Sequence, residues 1–444
     1  MSYSSDGKKP FELASKSSHS HIINDSYVKD FLGDCSLPPV NIDIDFTKLP
    51  NVFSLSEENI DNIKHVIAFD GGFSDVIVRK EFPSATFAFI QIGALFFDMA
   101  DLKALDEAPF ISPEDMSKLR NIDRMKLVVP TKVITLKDCD SFVSSYRYAI
   151  YKFFKEEFIG GLETIKWLIY EEFLGKNAVD QWVLSSCPKC LEKSIILKKV
   201  DMAPEYTFTC PHCNEKIYIT DILRLHEGVD EETGASGTVK LLGTSVEQII
   251  MFSCIKGLLE SKNPSVLKNV LFIKDGPLAF FDKTANLHRP ARSLIDFLEK
   301  TYTFYCVGLE KSGEFVDHAK LISKKMLCNT YMILDNSYIY SYILPRRDNT
   351  APYGGTTYYS AKVIFKSSEE RLYVATIPTP KAKVSYAKKD IKNLDKILTL
   401  LTYLKTDMYD NALLPIALTN KLISISDHPS TELLKKFAQS ALKK

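Results

Sequence analysis

Two C-x-x-C knuckles constrain this chain more than any other feature. Cys187-Pro188-Lys189-Cys190 and Cys210-Pro211-His212-Cys213 are separated by 19 residues. Each knuckle can supply two thiolates to a tetrahedral zinc ion, and the ion then holds together a small unit that lacks a core of its own. Residues 181–237 are therefore expected to form a zinc ribbon, with structural Zn²⁺ on Cys187, Cys190, Cys210 and Cys213. The alternating stretch 193–209 predicts a hairpin between the knuckles, and His212 reads as a spacer rather than a ligand. The ribbon either staples an insertion or, through Lys189, Lys193, Lys198 and Lys199, contacts DNA or a partner.

The other five of the nine cysteines are scattered and read as small apolar side chains. With no disulfide framework, and no apolar segment in the polar, Ser-rich N-terminus, the chain reads as cytoplasmic. No stretch reaches membrane-spanning length; Ala85–Phe97, interrupted by Gln91, reads as a buried strand. The chain has 444 residues, enough for about two to three domains. Lys and Arg (56) balance Asp and Glu (56), which excludes a wholly basic nucleic-acid coat but not a local basic groove.

Residues 1–25 are polar and read as disordered. The run His65-Val-Ile-Ala-Phe-Asp70 is an apolar strand ending in a carboxylate and two glycines. Asp75–Arg79 and Ala85–Leu95 follow as further strands of a β-meander. Residues 98–180 read as a helical insertion, rich in aromatic residues from Tyr148 to Trp167. Thr244–Ser261 predicts an amphipathic helix with Ser245 and Gln248 as a capping box, placing Glu247 in its first turn. Val270–Lys274 is a second apolar strand, again ending in Asp-Gly at Asp275-Gly276. The turn Pro345-Arg346-Arg347-Asp348-Asn349 is a phosphate contact or a solvated loop.

Taken singly, an Asp-Gly pair is a common turn and a Glu in a first helical turn is a dipole partner. Together, Asp70, Glu247 and Asp275 form a carboxylate set suited to one or two hard divalent ions. Such ions polarise a phosphate and activate water in phosphodiester hydrolysis.

The order of these words resembles the NurA family of DNA nucleases, whose core is RNase H-like. The family opens with a strand ending in Asp-Gly-Ser, places a Glu on a central helix, and follows with a strand ending in Asp-Gly-Ser-Leu. Here the words are Phe69-Asp70-Gly71-Gly72 and Lys274-Asp275-Gly276-Pro277-Leu278. Val307-Gly-Leu-Glu-Lys311-Ser312 resembles the next strand, with Lys311 as a phosphate contact or a solvated lysine. The family's C-terminal His position falls at Asn420, a weak fourth ligand, and its Tyr position at Ala412, with Asp427 or His428 nearby.

The resemblance implies an α/β fold: an RNase H-like core, a mixed sheet with flanking helices, carrying the ribbon and helical insertions. Its halves are 26–97 and 238–444. It implies Mn²⁺ or Mg²⁺ on Asp70, Glu247, Asp275 and Asn420, with Lys311 beside the scissile phosphate. It further implies DNA as substrate, a homodimer, and a HerA-like hexameric ATPase partner in DNA repair or antiviral defence. One rival is a catalytically inactive adaptor that docks DNA or the ATPase through the ribbon. Another is a zinc-ribbon transcription or replication factor, which leaves the two Asp-Gly strand ends unexplained.

Overall fold

A computed structural model describes residues 16–36, 44, 49, 51–79, 81–82, 84–101, 122–345, 350–406, 413–423, 425 and 430–441. The chain divides into two units, 1–44 and 45–444. The first carries helices α1 (Lys16–Asn24) and α2 (Ser26–Asp34). The Asp25 carboxylate caps α2 by accepting from the Val28 N–H at 3.0 Å. Residues 16–24 thus depart from the disorder expected for 1–25: they contain neither Gly nor Pro to stop a helix. Residues 1–15 lie outside the described residues.

In the second unit, nine strands form one sheet among the described residues. They are β1 (Val52–Ser54), β2 (His65–Ile77), β3 (Thr86–Asp98), β4 (Ile122–Lys132) and, beyond the ribbon, β9 (Val270–Asp275), β10 (Tyr305–Glu310), β11 (Thr330–Ile333), β12 (Ser360–Lys366) and β13 (Leu372–Pro378). Their order is β1-β11-β12-β13-β10-β9-β2-β3-β4. Only β2–β9 and β9–β10 are parallel. The expected fold class holds: a mixed sheet with flanking helices, in which an antiparallel meander feeds a helix and then parallel strands.

The meander itself is drawn differently from its expected form. The first two expected strands are one strand, because Gly71 and Gly72 continue the ladder opposite Ile92 and Gln91. The third strand is β4, inside the segment read as helical insertion. Its period-two stretch Arg124–Val129 has one face turned into the core through Leu127 and Val129, and Pro130 is tolerated because β4 is an edge strand.

Helices α3 (Phe142–Lys152) and α4 (Gly161–Ile169) lead to the ribbon, and α5 (Ser236–Glu260) follows it. Burial of Val239 and Leu242 extends α5 two turns ahead of its expected start. Ser245 is therefore not a cap; its hydroxyl donates to the Leu241 carbonyl within the helix at 2.7 Å. Gln248 instead donates to the Ala279 carbonyl at 2.9 Å and accepts from the Tyr359 hydroxyl at 2.8 Å. Helix α5 is the one described helix long and apolar enough to cross a membrane, and it is a core helix. The later helices are α6 (His288–Thr301), α7 (Glu314–Ile322), α8 (Leu394–Tyr403), α9 (Leu414–Ile423) and α10 (Ser430–Ala441).

Strand alternation separates two cores. Phe69, Phe272, Leu127 and Val129 face α5, α3, α4 and the ribbon. Val66, Ala68, Leu271 and Ile273 face α8 and α9. The ribbon shares the first core through Leu184, Ile195, Phe208 and Ile217.

Arg147 on α3 locks the ribbon in place. Its guanidinium donates to both Asp221 carboxylate oxygens (3.0 and 2.8 Å), to Glu215 (3.1 Å) and to the Lys216 carbonyl (2.7 Å). Arg147 and Asp221 are both buried, so losing one strands the other. Arg147→Ala is expected to destabilise the protein by about 3–5 kcal/mol. Denaturant unfolding would show this as a lower midpoint; a shift under about 1 kcal/mol would refute the locking role.

Candidate metal centres

Phe69 on β2 pairs with Lys274 on β9, so Asp70 and Asp275 stand side by side at the next position of two parallel strands. Each alternates with residues of the α8–α9 face. The Asp70 carboxylate is 7% exposed and accepts from the Gly71 N–H at 2.8 Å. It has no ion pair among the described residues. Burial, together with the nearby charges of Asp275 and Glu247, pushes the Asp70 carboxyl up to about 7. Asp275 accepts from the Lys311 ammonium at 2.7 Å. Lys311 follows β10, the strand parallel to β9, and this is how the strand order brings it to Asp275.

Glu247 reaches the same strand ends from the other face, at mid-helix in α5, where it is buried. It is not a first-turn residue, so a helix dipole does not account for it. A Cβ added to Gly71 would stand 2.7 Å from Glu247 Oε1, so glycine here makes room for the carboxylate. The other oxygen pairs with the ammonium of Lys274 at 3.0 Å. Burial raises the Glu247 carboxyl, and Lys274 opposes that rise.

The structure thus brings Asp70, Glu247, Asp275 and Lys311 to one locality. Asn420 lies exposed on α9, a helix that packs on β2, β3 and β9, and it makes no hydrogen bond to these residues. Ala412, Asp427, His428 and Arg346–Asn349 lie outside the described residues.

Sequence reading missed Lys274, which falls within the expected apolar strand Val270–Lys274. It also missed Arg124 and Lys126. Asp70, Gly93 and Arg124 form one lateral row across β2, β3 and β4, and Gly72, Gln91 and Lys126 form the next. Arg124 and Lys126 alternate with Met125 and Leu127 of the α5-side core, so they project on the Asp70 face. Both are exposed and make no ion pair among the described residues. Period-two alternation in 124–129 was the available signal.

The second centre is the cysteine cluster. Strands β5 (Gln181–Ser186) and β6 (Lys193–Lys198) form one hairpin, and β7 (Thr207–Thr209) and β8 (Lys216–Tyr218) another. The expected single hairpin between the knuckles is absent, because each knuckle closes a turn of its own. The Cys187 N–H donates to Glu192 and the Leu191 N–H back to Cys187; Cys210, Glu215 and Asn214 repeat the pattern. Leu191 and Asn214 take φ of 61° and 60° to make these turns.

The four Sγ atoms lie within 4.8 Å of one another, with Cys187–Cys213 at 3.7 Å and Cys190–Cys210 at 3.8 Å. A tetrahedral ion with Zn–S bonds of about 2.3 Å requires sulfurs about 3.8 Å apart, so these thiols fit it. His212 is exposed and outside the cluster. Of the ribbon lysines, Lys189 pairs with Glu215 at 3.3 Å and Lys199 with Glu172 at 2.5 Å.

No protein-family model matches this chain, and no curated protein does. Among solved structures it is similar to the NurA nuclease from Sulfolobus solfataricus, at 10% identity over 88% of each chain with a TM-score of 0.32. It is similar to NurA with manganese at 10% identity, over 88% of this chain and 91% of that one, with a TM-score of 0.30. For a third structure, described as NurA, the values are 13%, 97% and 99%, and 0.26.

Proposed function

We propose that this protein is a metal-dependent DNA nuclease. The observation that carries the reading is the pair Asp70 and Asp275 at adjacent parallel strand ends, one buried with no ion pair among the described residues and the other held by Lys311. Two carboxylates at the centre of a sheet are costly to bury unless a cation joins them. Hard oxygen donors suit Mn²⁺ or Mg²⁺, which supplies Lewis acidity toward a phosphodiester. Lys311 orients a phosphate oxygen beside Asp275. Zn²⁺ on the four cysteines holds the ribbon in the core and takes no part in the chemistry.

End-labelled linear DNA incubated with Mn²⁺, Mg²⁺ or EDTA tests this directly: cleavage in either ion and none in EDTA is the expected result. A folded, zinc-loaded protein that binds DNA without cutting it would favour the inactive adaptor. Pairing of Glu247 with Lys274 gives that rival its one structural support. The resemblance of the Asp-Gly words to NurA supports three finer readings. They are a homodimer, a HerA-like hexameric ATPase partner, and a role in DNA end processing during repair or antiviral defence. Copurification with a translocase ATPase tests the partner.

The row from Asp70 to Arg124 suggests the substrate path, with the side-chain-free positions Gly72 and Gly93 beneath the strand and Arg124 and Lys126 on its phosphates. The variant Arg124→Ala/Lys126→Ala is expected to weaken DNA binding for all sequences alike. Removing two phosphate contacts should also reduce the salt slope of the binding constant by about two. An unchanged slope would remove these residues from the path.

A further inference from the structure

Lys274 is an ammonium group buried at a metal site. It is 2% exposed and follows Phe272 in the alternation of β9, so it points away from Asp275 toward α5. Its Nζ is 3.0 Å from Glu247 Oε2 and donates to the Asp275 carbonyl at 2.6 Å. Gly276, at φ 87°, turns the chain just beyond, and a Cβ there would stand 3.4 Å from the same Nζ. The glycine therefore permits the turn, with the ammonium packed directly beneath it. One Glu247 oxygen is held by Lys274, and the other lies over Gly71 in the space that a side chain there would fill. No group of three carboxylate oxygens among Asp70, Glu247 and Asp275 lies within 4.8 Å.

We infer that Lys274 is a built-in cation that occupies the place of a second metal ion, so that the site takes one divalent ion, on Asp70 and Asp275, and Glu247 holds Lys274 instead of a metal. This inference rests on the nuclease reading above. The Lys274 ammonium, 2% exposed, has no room to move off Glu247 and would repel a divalent ion brought to that carboxylate, whereas Lys311, 39% exposed, can swing away from Asp275 to admit one. Asp70, more than nine-tenths buried and making no ion pair among the described residues, is the carboxylate left to be neutralised. A fixed ammonium beside the Asp275 backbone supplies positive charge to a reacting phosphate without having to be bound from solution. Lys274 is thus a positioning residue for Glu247 and an electrostatic element of the site.

The test is Mn²⁺ stoichiometry, read by calorimetry and by the paramagnetic resonance of free Mn²⁺, on the full chain with its cysteine site already loaded with zinc. The wild type is expected to bind one Mn²⁺, and Glu247→Gln still one. Lys274→Met, which frees the Glu247 carboxylate, is expected to bind two, and Lys274→Met/Glu247→Gln to return to one. Two ions in the wild type would overturn the inference and leave the nuclease reading standing. So would loss of Mn²⁺ binding in Glu247→Gln, or a single ion in Lys274→Met. No Mn²⁺ bound by the wild type would overturn both. If Lys274→Met does not fold, the wild type and Glu247→Gln decide the matter between them.

Discussion

Asp70→Asn is expected to abolish metal-dependent cleavage and, at the same time, to stabilise the metal-free protein at neutral pH. Loss of a ligand carboxylate should lower cleavage by more than about 100-fold, beyond what loss of a supporting residue costs. The stabilising half follows from proton linkage. Burial first, and then Asp275 and Glu247, raise the Asp70 carboxyl from 3.8 to about 7. A group raised in the folded state binds its proton more tightly there than in the unfolded chain. The metal-free protein is therefore most stable below about pH 4 with respect to this group, and it loses stability as pH rises to about 7. A rise of this size amounts to up to about 4 kcal/mol. The amide of Asn fills the same space without ionising, so the melting temperature of the variant should exceed that of the wild type at pH 7.5. The difference should close near pH 4. Mn²⁺ should then stabilise the wild type and not the variant, because the ion replaces the proton. Thermal melts at two pH values, with and without Mn²⁺, test all of this. A variant that cleaves like the wild type, or melts below it at pH 7.5, would remove Asp70 from the centre of the site.

Removing zinc, or replacing Cys210 with Ser, is expected to have the largest effect on folding. Cys187 and Cys210 are buried in the same core as α3, α4 and α5, so the ribbon cannot come loose as an independent module. Structural zinc contributes about 10–16 kcal/mol of apparent binding energy in small domains at pH 7. That is comparable to the whole margin of about 5–15 kcal/mol by which a protein is usually stable. Purified protein should contain one zinc per chain. The Cys210→Ser variant should melt more than about 10 °C lower or fail to accumulate. Proteolysis should then begin within 181–228, and Arg147 should lose its ordered partners. A zinc-free protein with an unchanged melting temperature would end the structural-zinc reading. A stable variant that only binds DNA less well would turn the ribbon into a substrate-contact module.

The ribbon was legible because its chemistry is local. Four thiols in two knuckles carry the spacing of a tetrahedral site whatever the surrounding fold. Its hairpins were less legible, since the register depends on left-handed turns at Leu191 and Asn214, which carry no glycine signal. The strands ending at Asp70 and Asp275 were also legible, as apolar runs closed by Asp-Gly. The meander was misread where glycines imitate a turn. Gly71 and Gly72 instead continue β2, and the space a side chain would fill at Gly71 belongs to Glu247 from a helix far along the chain.

The sequence by itself determined the local periods, the paired thiols and which strand ends carry carboxylates, because these follow from neighbours within a few residues. Only the tertiary structure decided what those groups meet. Parallel pairing of β2 with β9 sets Asp70 beside Asp275, and parallel pairing of β9 with β10 brings Lys311 to it. A two-turn extension of α5 moves Glu247 from a helix end to a buried position on Lys274. Strand register sets Arg124 in line with Asp70. Each of these depends on contacts across long sequence separations, where burial and pairing of charge outweigh the local propensities that a linear reading can see.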